Sequence, residues 1–246
     1  MNRKFFFIHN PKAGGTAIIK LISDLNIGKN ICPPFLNSPN ANDLIDEKID
    51  YYLKFDIFSG HWGYNIFEKL GKNDVVITNF RSPVDRIYSL YRYWKYNICL
   101  NDIHHLDKKD YICVELSHKY NFSHFIRLDV KELNLYINNF HSRQLHSDGW
   151  KLFNLNQNII ENVKHRIENM DWFYVAEHPT RSMHLFRKAF PQFQHGSLTH
   201  ENVSKGHSEK ISDDDKNYLI SLNYWDYEIY AYACKLQSER IKACCL

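Results

Sequence analysis

Apolar residues occur along this chain as short runs separated by amphipathic segments. The runs are of the length and composition that fill buried strands, and they predict strands at Phe5–His9, Asp56–Gly60, Val75–Phe80 and Trp172–Ala176. Helices are predicted where apolar residues recur every three or four positions, at Thr16–Leu25, Pro83–Tyr96, Ser117–Leu128, Gln157–Glu168, Thr180–Phe190 and Asp213–Leu236. Strands that alternate with helices indicate a mainly parallel sheet covered on both faces, which is a three-layer α/β fold.

Length and charge narrow the class of protein. The 246 residues are 44% hydrophobic, enough for one full core, and we expect a single domain over residues 1–246. The net charge of +3, from 31 basic and 28 acidic side chains, argues against a nucleic-acid binder, which usually has a strong basic excess. Two long loops, Pro33–Asn42 and Phe193–Asp215, are expected to be functional rather than simple connections.

Metal and membrane signals are weak. The six cysteines have no CxxC pair and no metal-ligand spacing, so we expect no metal site. In a chain of this length we expect reduced thiols, and a structural disulfide is the alternative. The apolar run Phe5–Ile8 is shorter than the ~7–15 residues of a signal-peptide core, and no stretch is long enough to span a bilayer. We therefore expect a cytoplasmic protein without a transmembrane segment.

The first candidate for chemistry is the segment Phe5–Ile18, which is ordered as strand, glycine-containing loop and helix. Its loop reads Pro11-Lys12-Ala13-Gly14-Gly15-Thr16. Backbone N–H groups at the start of a helix, together with a lysine, suit a phosphate or a sulfate. The nucleoside-triphosphatase motif GxxxxGK[ST] is absent because the lysine precedes the glycines. A surface turn with a solvated lysine is the alternative for this segment taken alone.

The second candidate has the same order of strand, turn and helix. Arg81 ends a predicted strand, and Ser82-Pro83 is a typical helix start, with serine as N-cap. Ser89 lies two helical turns after Ser82 and so points to the same side. Arg81 and Ser89 are suited to hold one phosphate, and Arg81 and Lys12 are expected at the same edge of the sheet. The alternative is an ordinary capped helix with a solvent-paired arginine.

Together the two segments resemble the sulfotransferase superfamily that uses 3′-phosphoadenosine 5′-phosphosulfate (PAPS). The likeness is to its carbohydrate O-sulfotransferase branch, which includes the heparan sulfate 2-O and 6-O enzymes. The H-x-PK-x-x-GT loop for the 5′-phosphosulfate matches residues 9–16, and the R-[DS]-P-x-x-R-x-x-S-x-[YW] segment for the 3′-phosphate matches residues 81–91. Ala17 replaces a common Ser or Thr, and Ser82 replaces the commoner Asp.

The resemblance implies a fold, a donor and a donor site. The fold is a central parallel sheet like that of the P-loop nucleoside triphosphatases, flanked by helices. The donor is PAPS, which leaves adenosine 3′,5′-bisphosphate as product. The residues expected to bind it are Pro11, Lys12, Ala13, Gly14, Gly15, Thr16, Ala17, Arg81, Ser89, Asn202 and Ser204.

A catalytic base is also implied. The family's Gly-His-x-x-[FY] element matches residues 60–64, where His61 would deprotonate the acceptor hydroxyl, and Lys12 is the second catalytic candidate. Trp62, Tyr64 and Arg143 are expected to line the acceptor cleft. Weaker likenesses cover Asn138–Leu145 and Asn223–Tyr230, for which ordinary packing residues are the alternative.

These observations favour a PAPS-dependent O-sulfotransferase acting on a hydroxyl acceptor, which the resemblance suggests is a glycan or glycolipid. Two alternatives stay open. A nucleotide-dependent kinase on a similar scaffold predicts dependence on ATP and Mg²⁺. A non-catalytic nucleotide- or glycan-binding protein predicts tight bisphosphate binding without transfer to any acceptor.

Overall fold

Four parallel strands form the centre of the molecule. The structure, a computed structural model, describes residues 3–24, 30–33, 45–198 and 210–244. The strands are β1 (Phe5–Ile8), β2 (Ile57–Gly60), β3 (Val75–Phe80) and β4 (Trp172–Val175), in the order β2-β1-β3-β4. Every pairing is parallel, and each strand lies within a residue or two of its predicted bounds. The predicted three-layer α/β fold is confirmed.

The strand order creates a switch point beside β1. The chain passes from β1 to β2 on one side and then to β3 on the other, so the loops after β1 and β3 diverge and leave a crevice at the carboxyl ends of the strands. Ile8 pairs with Gly60 of β2 and with Thr78 of β3. The next residues along each strand therefore come together at this edge of the sheet.

Twelve helices cover and extend the sheet within the described residues. They are α1 (Gly15–Asp24), α2 (Ile49–Tyr52), α3 (Tyr64–Leu70), α4 (Pro83–Asn97), α5 (Lys108–Lys119), α6 (Phe122–Phe125), α7 (Lys131–Ile137), α8 (Phe140–His146), α9 (Gln157–Glu168), α10 (Pro179–Ala189), α11 (Asp213–Leu222) and α12 (Tyr224–Cys244). Helices α1, α4, α9 and α10 agree with prediction to within a residue or so. Short 3₁₀ helices occur at Leu100–His105 and Pro191–Phe193.

Each face of the sheet has its own core. Side chains of one parity along the strands, such as Phe6 and Phe58, pack with α3, α9 and α12. Side chains of the other parity, such as Phe7 and Trp172, pack with α1 and α10. This is the physical basis of the near-continuous apolar runs, because both faces of every strand are covered.

A third core lies away from the sheet and was not predicted. Helices α4 to α8 pack together around buried residues that include Leu90, Trp94, Phe125 and Leu133. The predicted single helix Ser117–Leu128 is wrong. The chain leaves α5 at Tyr120 in an extended conformation, and the Asn121 side chain accepts the His124 N–H to start the single-turn helix α6.

The prediction of one continuous helix over Asp213–Leu236 is also wrong, because the helix breaks at Asn223. Asn139 causes the break: its side-chain oxygen accepts the backbone N–H groups of Trp225 and Asp226 at the start of α12. Asp226 in turn accepts the N–H groups of His141 and Ser142 at the start of α8. The starts of α8 and α12 therefore cap each other, and the two capping residues, Asn139 and Asp226, are both buried.

Asp226 also supplies negative charge to the interior. Arg86 and Arg143 are both about 1% exposed. Burial lowers the pKa of each guanidinium to about 10, and the Asp226 carboxylate acts in the opposite direction on both. A buried cation is costly without a counter-charge, so Asp226 stabilises two of them at once.

Other sequence expectations meet the structure only in part. Residues 34–42 of the first predicted loop, Pro33–Asn42, and residues 199–209 of the second, Phe193–Asp215, lie outside the described residues. Among the described cysteines, Cys32, Cys99, Cys113, Cys234 and Cys244 are free thiols. No helix in the described ranges is long and apolar enough to cross a membrane.

Replacing Asp226 tests this buried charge. We expect Asp226→Asn to lower the free energy of unfolding by about 3 kcal/mol, because two buried guanidinium groups lose their nearby carboxylate. Urea denaturation followed by circular dichroism measures the change. Asp213→Asn is the matched control, since the Asp213 side chain is 89% exposed at the start of α11. Equal stability of the two variants would contradict the assignment.

Candidate functional site

The loop between β1 and α1, residues 9–14, has a conformation suited to an anion. Lys12 has φ = 63° and Gly14 has φ = 83°, whereas Ala13 between them stays at negative φ. Alternation of this kind turns successive N–H groups toward one side, as in anion-binding nests. The loop leads directly into α1, whose first N–H groups face the same end. We call residues 9–14 the β1 loop.

Asn79 of β3 holds the β1 loop in this shape. Its side-chain oxygen accepts the Asn10 N–H at 2.7 Å, and its amide donates to the carbonyls of Asn10 and Ala13 at 3.0 and 2.9 Å. Asn79 is fully buried. Sequence reasoning missed it, although a polar residue inside an otherwise apolar strand was a signal.

Gly15 is required by the close approach of His9. A Cβ atom at Gly15 would lie 1.8 Å from the His9 Nε2 atom. His9 itself stacks on Phe7, with ring centroids 5.1 Å apart. Glycine at this position therefore lets the His9 ring pack directly against the start of α1.

Arg81 joins the β1 loop to the end of β3. Its Nη1 donates to the Lys12 carbonyl at 3.0 Å, so the expected meeting of these two residues is observed. The neighbouring Ser82 departs from expectation, because its side chain does not cap α4. Instead, the Glu177 carboxylate from the end of β4 accepts the Ser82 N–H at 2.9 Å.

Lys12 lies among positive groups. Burial and the Arg81 charge lower the pKa of Lys12 to about 8. No carboxylate of the described residues forms an ion pair with Lys12 or Arg81. A site that concentrates cations without acidic partners favours an anionic ligand.

His61 lies next to His9. The strand register places the two residues side by side, and their ring centroids are 4.6 Å apart. Burial, with smaller contributions from Lys109 and Lys12, lowers the pKa of His61 to about 4. The pKa of His9 is also well below its usual range, because of burial and the charges of His61 and Lys12. Both imidazoles are therefore neutral at pH 7, the form that accepts a proton.

Lys109 is a further charged residue near His61. It is 9% exposed, pairs with Asp107, and lies 3.9 Å from Asp110. Its ammonium lies 4.6 Å from the centroid of the Trp150 ring, and the Trp150 and His61 rings are 6.4 Å apart. The sequence around it resembles an exposed charged turn, so only the tertiary structure distinguishes Lys109 from its exposed neighbour Lys108.

Gln144 of α8 connects the two loops that carry the histidines. Its amide donates to the His9 carbonyl at 3.1 Å and to the Trp62 carbonyl at 2.9 Å. Gln144 is fully buried. Gln144 therefore holds the loops after β1 and β2 at a fixed separation, on the side of these loops that faces α8.

The three expected acceptor residues lie in different surroundings. Trp62 is 1% exposed and belongs to the core that includes Phe6. Arg143 is equally buried and donates to the backbone carbonyls of Leu135, Asn138, Gly149 and Lys151. Tyr64 is partly buried, with the Arg166 guanidinium 4.0 Å from its ring centroid. We therefore leave Trp62 and Arg143 out of the acceptor site proposed below.

The other expected donor residues are placed as follows. Thr16 and Gly14 are exposed, whereas Pro11, Ala13 and Gly15 are buried, so the buried ones offer only backbone groups to a ligand. Ala17 and Ser89 are partly buried on α1 and α4. Asn202 and Ser204 lie outside the described residues.

Comparison with known proteins gives partial similarities. No family model matches the chain. It is 27% identical over 85 residues to heparan-sulfate 6-O-sulfotransferase 2 of Homo sapiens, covering 35% of this chain and 14% of that protein. The Danio rerio protein of the same name is 26% identical over 34% of this chain and 18% of its own length. Heparan-sulfate 6-O-sulfotransferase 3 of Mus musculus is 24% identical over 33% of this chain and 17% of its own length.

The chain thus spans less than a fifth of the length of these relatives. The similarity supports a relation to sulfotransferases. Within the part of the chain that the structure describes, no group of three or more His, Cys, Asp or Glu side chains is arranged to hold a metal ion.

The Asn79 contacts predict a measurable loss. We expect Asn79→Leu to lower the free energy of unfolding by about 3 kcal/mol, because a buried donor and two carbonyls of the β1 loop lose their partner. Thr78→Val is the matched control in the same strand. It removes a bond to the Ile8 carbonyl and a contact with His141, and we expect it to cost about 1 kcal/mol. Urea unfolding of both variants measures the difference, and equal losses would contradict the special role of Asn79.

The position of Lys109 predicts a change in the titration of His61. We expect Lys109→Met to raise the pKa of His61 by about one unit, because removing a nearby cation favours the imidazolium form. NMR titration of the histidine ring protons measures it, with the His61 signal assigned from a His61→Gln variant. Lys109→Arg and Lys108→Met should leave the titration unchanged. The assignment is wrong if Lys109→Met and Lys108→Met give the same pKa.

Proposed function

We propose that this protein is a PAPS-dependent sulfotransferase that transfers a sulfuryl group to a carbohydrate hydroxyl. The observation that carries the proposal is the meeting of Lys12, Arg81 and His61 at the carboxyl ends of three adjacent parallel strands. Two cationic groups and a neutral base are thereby concentrated beside a loop suited to anions.

The β1 loop and Lys12 would bind the phosphosulfate end of the donor. N–H groups at the start of α1 and the Lys12 ammonium suit the charge that grows on the leaving phosphate oxygen. Positioning and electrostatics of this kind are the main requirements of transfer reactions at phosphate, and we expect the same at sulfate.

Arg81 would bind the 3′-phosphate. Its guanidinium already touches the Lys12 carbonyl, so one arginine links the two halves of the donor site. A guanidinium suits bidentate bonding to phosphate. Ser89 of α4 is the hydroxyl we propose as its partner, and Asn202 and Ser204 stay candidates from the sequence alone.

His61 would act as the general base. Its low pKa keeps the imidazole neutral at physiological pH and ready to accept the proton of the acceptor hydroxyl. A base with so low a pKa holds a proton weakly. The negative charge of a bound donor would raise this pKa toward neutrality, so we expect the base to strengthen when the donor is present.

The acceptor class is taken from the relatives. Their names describe 6-O-sulfotransferases of heparan sulfate, and they support a carbohydrate hydroxyl as the acceptor of this chain. Of the three residues expected to line the acceptor cleft, we retain only Tyr64, which begins α3 shortly after His61.

Calorimetric titration with adenosine 3′,5′-bisphosphate and with AMP tests the donor site. We expect Arg81→Ala to weaken bisphosphate binding by about 10- to 100-fold, because a charge-assisted phosphate contact is lost. AMP, which has no 3′-phosphate, should lose less than about threefold. Lys235→Ala, which changes a side chain that is 73% exposed on α12, is the control. Equal losses for the two nucleotides would reject the 3′-phosphate assignment.

Activity with labelled PAPS and a panel of saccharides separates the alternatives. His61→Ala should retain bisphosphate binding and lose transfer to the acceptor. Tight bisphosphate binding without transfer by the wild-type protein would indicate a binding protein instead. Transfer that needs ATP and Mg²⁺ would indicate a kinase.

A further inference from the structure

Tyr93 of α4 contacts the candidate catalytic lysine, although neither the sequence motifs nor the proposed function includes it. The Lys12 Nζ lies 4.1 Å from the centroid of the Tyr93 ring. An ammonium at this distance from the face of a tyrosine ring is attracted by the ring quadrupole. Tyr93 is 39% exposed and lies one helical turn after Ser89, on the same side of α4.

The surroundings of Lys12 give this contact its importance. Within the described ranges, the charged or titratable groups that interact electrostatically with Lys12 are Arg81 at the end of β3 and the two neighbouring histidines, His9 and His61. None of them attracts an ammonium as a carboxylate would. Among the described residues, the group that offers partial negative charge to the Lys12 Nζ is the face of the Tyr93 ring.

The contact is weaker than the one a bound anion would offer. A cation–π contact at an exposed site is worth less than a charge-assisted hydrogen bond to phosphate. The four rotatable bonds of lysine allow its ammonium to move while the Lys12 backbone stays fixed by Arg81. An anion in the β1 loop would therefore take the ammonium from the ring.

We propose that the Tyr93 ring is the resting position of the Lys12 ammonium, and that an anion bound at the β1 loop displaces it from the ring. Tyr93 is thus a positioning residue that acts through Lys12. The choice of adenosine 3′,5′-bisphosphate as the anion rests on the proposed function, whereas the resting contact in the free protein does not.

The free protein gives the first test. Reductive methylation with ¹³C-formaldehyde labels the lysines, and a Lys12→Arg variant assigns the Lys12 signal. We expect this signal to be shifted upfield by the ring current in wild type and in Tyr93→Phe, and to be unshifted in Tyr93→Leu. Tyr96→Leu is the control, because Tyr96 is similarly exposed on the same helix. An unshifted wild-type signal would overturn the resting position.

Ligand binding gives the second test. Adding adenosine 3′,5′-bisphosphate should move the wild-type Lys12 signal to its unshifted position. By calorimetry at pH 6.5, below the Lys12 pKa of about 8, Tyr93→Leu should bind the bisphosphate about two- to fivefold more tightly than wild type, because a contact of the free state is lost. Tyr93→Phe and Tyr96→Leu should match wild type.

The outcomes separate the two proposals. Weaker binding by Tyr93→Leu than by Tyr93→Phe would overturn displacement, since the ring would then contribute to the bound state. If wild type does not bind the bisphosphate, the proposed function fails. The ring-current shift still decides the resting contact in that case, and pyrophosphate replaces the bisphosphate as the anion that must displace the ammonium.

Discussion

The buried carboxylate of Asp226 is the interaction on which the rest of the arrangement depends. It caps the start of α8 and lies within reach of the charges of Arg86 and Arg143. Helix α8 in turn carries Gln144, whose amide binds the backbone after β1 and β2. A single buried charge is thereby connected, through one short helix, to the two loops that hold Lys12 and His61. The buried polar side chains of Asp226 and Gln144 therefore set the geometry of the site.

Asn79 supports the site from the neighbouring strand. It holds three backbone groups of the β1 loop and keeps the loop in a shape that includes a lysine at positive φ. Such a conformation costs about 1 kcal/mol for a residue with a Cβ, and hydrogen bonds from a buried side chain offset that cost. The loop can therefore be preorganised for an anion, which reduces the ordering that binding requires.

The electrostatics of the site favour a negatively charged ligand. Lys12 and His61 both have lowered pKa values, because they are partly removed from solvent and because nearby cations disfavour further positive charge. In the proposed function, a polyanionic donor would relieve both effects, so donor binding and the proton affinity of His61 would be linked by the same charges. Partial similarity to heparan-sulfate 6-O-sulfotransferases agrees with this chemistry.

The sequence by itself determined the sheet, because strands buried on both faces must be apolar throughout, and it determined the helices whose apolar stripe faces that sheet. Motifs at the strand ends also made Lys12, Arg81 and His61 candidates, and the structure places all three at that edge of the sheet. Only the tertiary structure decided the break at Asn223, since a cap supplied by Asn139, which is distant in sequence, leaves no local pattern. The break at Tyr120 has a local cap in Asn121, which the helical pattern of apolar residues obscured. The tertiary structure likewise decided which charged side chains are buried. Lys109 differs from Lys108, and Trp62 is a core residue, because burial depends on packing partners that lie far apart along the chain.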